Sequence, residues 1–300
     1  MSVRISAKIA DKSVVFVQTN QALLQAIEDI QQNPIIGVDL EADSFYRYYE
    51  KICLVQIATP RMIYLIDTLA KVDHSLLKSV FENPSIEKIF HDPVSYDIGI
   101  LKRKLGIHPI NIFDTQLAAR LIGIKRLGLD ALLERFFGIK ITKKFKKADW
   151  GRRPVPEEWL TYAANDVRYL IELRGLLEKE LGENSVFRDK CKQMEKIERI
   201  PKEFDPMGYT KLRGVKQLSD QKRKILKNLY LWREKEARRV DRPPFMILQP
   251  SMLVPLARKE IIDVEGVKSF LGKKRRKNQK QFQAIFEAIQ LGMADTEIEL

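Results

Sequence analysis

Two carboxylates near the start of the chain are spaced so that they can bind a metal ion together. Asp39 and Glu41 lie in the apolar, β-branched run PIIGVDLEA of residues 34–42, which predicts a buried strand. Side chains two positions apart on a strand share a face. Adjacent buried charges are costly without a cation between them, and carboxylate oxygens suit divalent ions such as Mg²⁺. For this pair alone, a solvated strand end stays open as the alternative.

Two further acidic residues lie later in the chain, each in or at the start of a predicted helix. Tyr162 and Asp166 are four residues apart in a predicted helix over 156–181, so they share a helix face. Asp97 begins a predicted helix over 97–105, where the helix dipole favours a negative charge. Each has a structural alternative. Tyr162 could be a half-buried core residue, and Asp97 a helix-terminal charge.

The elements that would position these residues are predicted from apolar periodicity and from glycine and proline stops. Strands are predicted at 13–17, at the Asp39 run, at 52–58, 62–66 and 86–90. The three middle ones form a meander. Helices are predicted at 21–30, 74–81, 97–105, 114–122, 127–137 and 156–181, with Asp114 as an N-cap. Only helices are predicted after 214, at 219–239, 249–259, 264–271 and 279–291. The predicted organisation is therefore a domain at 1–185, a linker at 186–213 and a helical domain at 214–294.

The charge of the chain is concentrated in the predicted helical domain. The net charge is +13, and residues 211–290 hold 21 Lys and Arg against 8 Asp and Glu. The remainder is neutral overall. Such an asymmetry is typical of a polyanion-binding module joined to a neutral partner. A basic, solubilising surface is the alternative.

Cysteine use and hydropathy indicate where the protein works. Cys53 and Cys191 are the only cysteines and lie far apart, which predicts no disulfide framework and a reducing, cytoplasmic location. No apolar run approaches the ~20 residues that span a bilayer. The first residues, MSVRISAKIADKS, lack the apolar core of a secretory signal. We therefore expect no membrane partner.

The order of these motifs resembles a known family. Asp-x-Glu on a first strand, an aspartate starting a later helix and Tyr-x-x-x-Asp on a late helix resemble the DEDDy class of 3′-5′ exonucleases. The runs KICLVQIA (51–58), IFDTQLAA (112–119) and ADWGRRP (148–154) are similar to ribonuclease D. The resemblance covers about residues 13–181. It implies an α/β, ribonuclease H-like (DnaQ-like) domain with a mixed sheet flanked by helices.

The resemblance also implies roles for individual residues. The metal ligands would be Asp39, Glu41, Asp97 and Asp166, and Tyr162 would orient the attacking water. Phosphodiester cleavage of this kind uses two metal ions roughly 3.5–4 Å apart, and an oxygen-only ligand set implies Mg²⁺ or Mn²⁺. The family usually has one residue fewer between the histidine at the His91 position and the third acidic residue. Asp92 is therefore a rival to Asp97.

A second resemblance covers the basic tail. The run LYLWREKEARRVDRPP (229–244) is similar to the HRDC domain, a small all-α module shared by ribonuclease D and RecQ-type helicases. One such module fits the length. The expected nucleic-acid contacts are aromatic residues after the first carboxylates, which can stack on a terminal base or pack under the sheet, together with one histidine and basic residues. They are Tyr46, Tyr48, Tyr49, His91, Lys143, Lys144, Lys146, Lys147, Arg152, Arg153, Lys273, Lys274, Arg275, Arg276 and Lys277.

Together these patterns predict a metal-dependent 3′-5′ exoribonuclease that trims RNA with a single-stranded 3′ end and releases nucleoside 5′-monophosphates. By resemblance the substrates would be tRNA precursors, and we expect a monomer. Two alternatives stay open. A DNA exonuclease of the same fold would differ in whether the 2′-hydroxyl is used. A non-catalytic RNA-binding adaptor would retain the fold without the chemistry.

Overall fold

A computed structural model of the protein describes residues 12–197, 204–272, 279–296 and 298. Their contacts form two compact units. The first holds residues 12–43 and 51–197, and the second holds residues 44–50 and the described residues from 204 onward. The short segment 44–50 therefore belongs to the second unit, although it lies between two strands of the first.

The first unit is built on one six-stranded sheet. Its strands are β1 (Ser13–Val17), β2 (Ile35–Ala42), β3 (Ile52–Ala58), β4 (Met62–Asp67), β5 (Glu87–Phe90) and β6 (Ile112–Asp114). Their spatial order is β1-β4-β3-β2-β5-β6. The β2–β3 and β3–β4 pairs are antiparallel, and the β1–β4, β2–β5 and β5–β6 pairs are parallel. The predicted mixed sheet and its meander are confirmed, with β2 in the interior of the sheet.

Eight helices belong to the first unit as described. They are α1 (Asn20–Gln31), α2 (Lys78–Phe81), α3 (Asp97–Ile100), α4 (Thr115–Leu121), α5 (Leu129–Phe137), α6 (Glu157–Arg168), α7 (Leu170–Leu181) and α8 (Ser185–Glu195). A 3₁₀ turn at His74–Leu77 precedes α2, and a π turn at Leu101–Leu105 continues α3. Asp114 caps α4 through the Gln116 amide, as predicted.

The predicted helix over 156–181 is divided into α6 and α7, which corrects the prediction. Tyr169 lies between them with φ −111° and ψ 4°. This break packs closely on β2, because a Cβ at Gly37 would meet the Leu170 Cβ at 3.0 Å and the Val167 carbonyl oxygen at 3.2 Å. A side chain at position 37 would therefore force the two helices away from the sheet.

The predicted linker contains a helix that the first unit buries. In α8, Phe187, Cys191 and Met194 pack into the core of the sheet domain. The Nζ atom of Lys102 donates to the carbonyl oxygens of Glu195 (2.8 Å) and Ile197 (2.9 Å). The first part of the predicted linker at 186–213 therefore belongs to the first unit. The physical reason for this difference is that a charged helix with a single apolar stripe resembles a linker in composition.

The described part of the second unit is a helical bundle around its own core. Its helices are α9 (Asp220–Arg239), α10 (Pro244–Ile247), α11 (Pro250–Arg258), α12 (Val264–Leu271) and α13 (Gln279–Met293). The long α9 packs against α10, α11 and α13. Gly292 lets α13 approach α9, since a Cβ there would lie 2.5 Å from the Ile225 Cα. The predicted small helical domain is confirmed.

Neither described thiol forms a disulfide, and both are buried. Burial raises the pKa of Cys53 and of Cys191 to about 12, so both thiols stay protonated at neutral pH. Among the helices that the structure describes, none has the length and apolar character needed to cross a membrane.

Candidate active site

The first two carboxylates of the site come from the middle of the sheet. Asp39 and Glu41 lie on β2, between β3 and β5, and both side chains are half-buried. Because they are two residues apart, they point to the same face of the sheet. Gly37 shares that face, and α6 and α7 pack against it there. The face that carries the carboxylates is therefore the one covered by α6.

The late helix brings the next two residues to the pair. Tyr162 and Asp166 lie on α6, which contacts β2, β3 and β4. Carboxylate oxygens of Asp39, Glu41 and Asp166 all lie within 4.8 Å of one another. The structure thus brings together three of the four predicted metal ligands, from segments that are more than a hundred residues apart in sequence.

The fourth predicted ligand, Asp97, is the first residue of α3 and is buried. Its charge raises the pKa of Glu41, and the Asp39 charge in turn contributes to the raised pKa of Asp97. Its rival Asp92 has a left-handed backbone with φ 60°, and its amide donates to Asp114 Oδ1 at 3.0 Å. Asp92 lines a cavity of about 410 Å³ together with Asp114.

The electrostatics of the four carboxylates fit a bound cation. Burial raises the pKa of each one, that of Asp39 to about 7 and those of Glu41, Asp97 and Asp166 well above their usual range. The charge of Asp39 further raises the pKa values of the other three carboxylates. Lys146 partly opposes this effect at Asp39, Glu41 and Asp166. Hard divalent cations bind clustered carboxylate oxygens and favour their ionised form, so the donor set fits such ions.

Tyr162 is held beside this cluster as a neutral hydroxyl. Its side chain is buried, and its ring packs edge-on against Phe145 at 5.9 Å and lies 6.1 Å from the ring of Trp150. Burial, with the neighbouring Asp166 charge, raises its pKa above the usual value. Its hydroxyl is hydrogen-bonded to Asp166. It can therefore donate and orient a hydrogen bond.

The predicted basic contacts in residues 140–153 have different surroundings. Lys143 pairs with Asp130 at 2.7 Å, and Lys144 lies 3.5 Å from Glu158. Lys146 is exposed, and its charge reaches the acidic cluster. Lys147 and Arg152 are exposed. The predicted run of Lys273, Lys274, Arg275, Arg276 and Lys277 lies outside the described residues. Of the predicted basic contacts, Lys146 is therefore one that interacts electrostatically with the carboxylates.

Arg153 has a structural role instead of the predicted phosphate contact. Its Nε and Nη2 atoms donate to the carboxylate of Asp67, which is 1% exposed, at 2.5–3.1 Å. Nη2 also donates to the carbonyl of Cys53, and Nη1 donates to those of Trp150 and Arg152. The guanidinium ties the segment after Trp150 to β3 and β4. Its donors are occupied inside the protein, so it is removed from the expected phosphate contacts.

Arg153→Met is expected to lower the free energy of unfolding at neutral pH by about 3 kcal/mol, because Asp67 would be left buried without its cation. Burial alone raises the pKa of Asp67, but hydrogen bonds from Arg153 and Gln18 bring it below its ordinary value. A lowered folded-state pKa gives stability above about pH 4 that is lost in acid. Urea unfolding at pH 7 and pH 3 measures this effect. An equal loss at both pH values, or an equal loss in the exposed control Arg152→Met, would contradict the assignment.

The aromatic residues that follow the carboxylate strand belong to the helical unit. The Tyr48 hydroxyl donates to the Glu234 carboxylate and accepts from Arg238 Nε at 3.0 Å. The amides of Tyr48 and Tyr49 both donate to Asp241 Oδ1 at 3.0 Å. Tyr48 packs against the helical core, which corrects both roles expected for it, base stacking and packing under the sheet.

The surroundings of Tyr49 and Tyr46 differ from those of Tyr48. Tyr49 is 56% exposed, with its ring 5.0 Å from that of Tyr48. The carbonyl of Tyr46 accepts from Arg242 at 3.4 Å. For both residues, stacking on a base stays a prediction.

His91 is a neutral, oriented imidazole. Its Nδ1 lies 2.9 Å from Thr115 Oγ1, which donates to the Phe90 carbonyl at 3.0 Å. Because the threonine hydrogen is used there, Nδ1–H is the donor and Nε2 keeps its lone pair. Burial lowers the pKa of His91 to about 4. Its predicted contact with nucleic acid would therefore be uncharged.

One residue of this region was missed from the sequence. Gln56 lies opposite Asp39 in the β2–β3 pairing and is 0% exposed. The available signal was a single amide inside the apolar run ICLVQIA of β3. One amide does not change the interpretation of this run, which as a whole is typical of a buried strand.

Comparison with known proteins supports the resemblance noted from the motifs. A family model described as 3′-5′ exonuclease matches residues 14–182, and a model described as HRDC domain matches residues 222–289. The exosome complex exonuclease RRP6 of Saccharomyces cerevisiae is 32% identical over 289 residues, which are 88% of this chain and 39% of the yeast protein. The chain thus spans about two fifths of that curated relative.

Solved structures have the same fold. The catalytic core of RRP6 from Trypanosoma brucei gives a TM-score of 0.82 at 22% identity, covering 96% of this chain and 82% of that one. RNase D of Escherichia coli, an exoribonuclease involved in structured RNA processing, gives a TM-score of 0.70 at 25% identity, covering 92% and 75%. The predicted two-part architecture is confirmed.

The exonuclease model alone covers more than half of the 300 residues. Exonucleases of this type use divalent metals, in agreement with the acidic cluster on β2 and α6. The chain belongs to the 3′-5′ exonuclease family, in the branch that contains ribonuclease D and the Rrp6 exonucleases, and it carries an HRDC domain.

Proposed function

We propose that this protein is a metal-dependent exoribonuclease that removes nucleotides from RNA 3′ ends by two-metal-ion hydrolysis and releases nucleoside 5′-monophosphates. One observation carries the proposal. Carboxylate oxygens of Asp39, Glu41 and Asp166 converge within 4.8 Å, with the Tyr162 hydroxyl bonded to Asp166, inside the region that matches the exonuclease family.

The proposed ligands are Asp39, Glu41, Asp97 and Asp166, and the proposed ions are two Mg²⁺ or Mn²⁺. Such ions would supply an activated water and charge stabilisation at the scissile phosphate. Four carboxylates would be enough to bind two dications and to leave positions open for substrate. They would also hold the ions at fixed positions on a rigid sheet and helix, which is what in-line displacement requires.

The other residues of the site would handle protons and substrate charge. The Tyr162 hydroxyl, fixed by Asp166, would hydrogen-bond the attacking water and direct it. Lys146 would bring a positive charge toward the phosphate next to the carboxylates. His91 would offer its Nε2 lone pair as an acceptor. The basic helical unit would add sequence-independent contacts to the RNA backbone, whose strength falls with salt.

Tyr162→Phe is expected to lower kcat by about a hundredfold, the scale of a lost orienting or proton-transfer group, with little change in KM. The ring and its packing against Phe145 are retained, so only the hydroxyl is tested. Single-turnover hydrolysis of a labelled RNA measures the change. A kcat equal to that of wild type would remove Tyr162 from the reaction. Phe145→Leu, which changes the same contact but leaves the hydroxyl, is the matched control.

The proposed natural substrates are tRNA precursors and other structured RNAs with a single-stranded 3′ end. The related E. coli enzyme is described as involved in structured RNA processing, which supports this class. Here the HRDC unit would hold the folded body of the RNA. Action in the cytoplasm and as a monomer stays a prediction from the sequence.

The test of this proposal compares RNA and DNA oligonucleotides of identical sequence under one metal and salt condition. The proposal predicts faster release of mononucleotides from the RNA. Equal or faster cleavage of DNA would replace it with a DNA exonuclease. Binding of RNA in EDTA, together with no product under Mg²⁺ or Mn²⁺, would indicate a non-catalytic adaptor.

A further inference from the structure

Gln56 is a polar residue at a buried position of an otherwise apolar strand. It lies in the middle of β3, a strand whose seven residues are all buried. Its neighbours in the chain, Val55 and Ile57, are apolar and fully buried. An apolar side chain of similar length would satisfy this environment, since a buried amide without partners is destabilising.

The amide of Gln56 has unused hydrogen-bonding capacity. The side chain is 0% exposed, and neither Nε2 nor Oε1 has a hydrogen-bond partner among the described residues. Buried side-chain amides are normally hydrogen-bonded, so each exception calls for an explanation. The amide group turns about a broad terminal torsion, so it can reorient without changing the strand.

The strand register determines what this amide can reach. Gln56 pairs with Asp39 on β2 and with Leu65 on β4. Directly opposed side chains share a face, with Cβ atoms about 4.5–5.5 Å apart. On the β4 side the opposed residue is apolar, and on the β2 side it is the first carboxylate of the acidic cluster. The diagonal neighbours on β2 are Gly37, which has no side chain, and Glu41. Across β2, the amide therefore has only the carboxylates of the site as polar side-chain neighbours.

We propose that Gln56 is a positioning residue of the active site: its amide turns so that Nε2–H donates to the Asp39 carboxylate and holds that carboxylate in the orientation that binds the divalent ion. This inference rests on the proposed function, since it concerns the same carboxylates. A carboxylate offers about four lone-pair directions, and the Leu40 amide already bonds one oxygen of Asp39. A donor from β3 would fix the rotation that this single bond leaves free.

The choice of an amide is consistent with the charge of the site. Four carboxylates already face one another there, and a glutamate at position 56 would add a fifth negative charge. Lysine or arginine would compete with the metal ion for the same oxygens. A glutamine donates a hydrogen bond to an ionised carboxylate without changing the net charge. Partners of this kind, which orient metal ligands, typically contribute about 10- to 100-fold to metal affinity.

The test uses Gln56→Met, which keeps length and volume but removes the amide. Its matched control is Leu65→Met, a similar change on the same face one strand further from Asp39. Each full-length protein is titrated with Mn²⁺ by calorimetry, and its unfolding temperature is measured in EDTA. The expected result for Gln56→Met is an Mn²⁺ dissociation constant raised about 10- to 100-fold, with a metal-free unfolding temperature equal to or above that of wild type. Leu65→Met is expected to keep the wild-type dissociation constant.

Three outcomes would overturn the inference. The first is an Mn²⁺ affinity in Gln56→Met equal to that of wild type. The second is failure of this variant to fold, or a lowered metal-free unfolding temperature, because the amide would then serve the fold. The third is wild-type protein that does not bind Mn²⁺, which would overturn the proposed function as well. If wild type binds Mn²⁺ but does not hydrolyse RNA, and Gln56→Met weakens that binding, only the proposed function fails.

Discussion

Asp39→Asn is expected to lower the rate of RNA hydrolysis by on the order of a thousandfold, because bound metal supplies several kcal/mol of transition-state stabilisation and each 1.36 kcal/mol is tenfold in rate. Asp39 interacts electrostatically with every other carboxylate of the site, since its charge raises the pKa values of Glu41, Asp97 and Asp166. Asparagine keeps the shape of the side chain but removes the charge. RNA binding should persist and remain sensitive to salt, because the basic contacts lie elsewhere in the sequence.

The same variant should be more stable than wild type when metal is absent. Burial raises the pKa of Asp39 to about 7, so its charge destabilises the metal-free fold above that pH. In EDTA at pH 8, Asp39→Asn removes this buried charge, so the unfolding temperature should rise. With Mn²⁺ present, wild type should gain more than the variant. Asp189→Asn is the matched control, since Asp189 is exposed on α8 of the same unit. Retained hydrolysis in Asp39→Asn, or a lower unfolding temperature in EDTA, would contradict the site assignment.

Asp97→Asn is expected to reduce hydrolysis by a similar factor, about a thousandfold, whereas Asp92→Asn should stay within a few-fold of wild type. Asp97 is buried at the start of α3 and interacts electrostatically with Asp39 and Glu41. Asp92 lines the cavity beside Asp114 and is held there through its backbone amide. The pair of variants decides between the two candidates that the spacing of the motif left open.

The measurement is the rate constant of single-turnover hydrolysis at saturating Mn²⁺, together with the Mn²⁺ affinity of each variant. Asp97→Asn should weaken Mn²⁺ binding, and Asp92→Asn should not. A large loss in Asp92→Asn with normal rates in Asp97→Asn would exchange their roles. Losses in both would mean that the turn before α3 must be intact for the site to form.

The sequence predicted those parts of the site that depend on local pattern. Two carboxylates on one face follow from the two-residue period of β2, and Tyr162 with Asp166 follow from the four-residue spacing of α6. Their convergence was expected only through the resemblance to ribonuclease D. The meander of β2, β3 and β4 and the helical second unit were also correct, because each of these strands and helices carries its own periodicity. The short β6 (Ile112–Asp114) was not predicted, since three residues are too few to show a period.

What the sequence left unpredicted depends on contacts between distant residues. The break at Tyr169 lies where Val167 and Leu170 closely approach Gly37, and helix propensity gives no sign of it. Arg153 finds its buried partner 86 residues earlier in the chain, at Asp67. Tyr48 bonds to Glu234 across 186 residues. Arg153 and Tyr48 are both residue types that commonly contact nucleic acid. Their structural roles are apparent only from the partners that they bind in the fold.

The central claim is that the carboxylate cluster removes nucleotides from an RNA 3′ end with the help of divalent metal. The most direct measurement follows one single-stranded RNA, labelled at its 3′ end in one sample and at its 5′ end in another, with Mn²⁺ or with EDTA. The account predicts immediate release of the 3′ label as a mononucleotide and stepwise shortening of the 5′-labelled chain, only with metal and not in Asp166→Ala. Internal fragments, release of the 5′ label first, or equal cleavage in EDTA would contradict it.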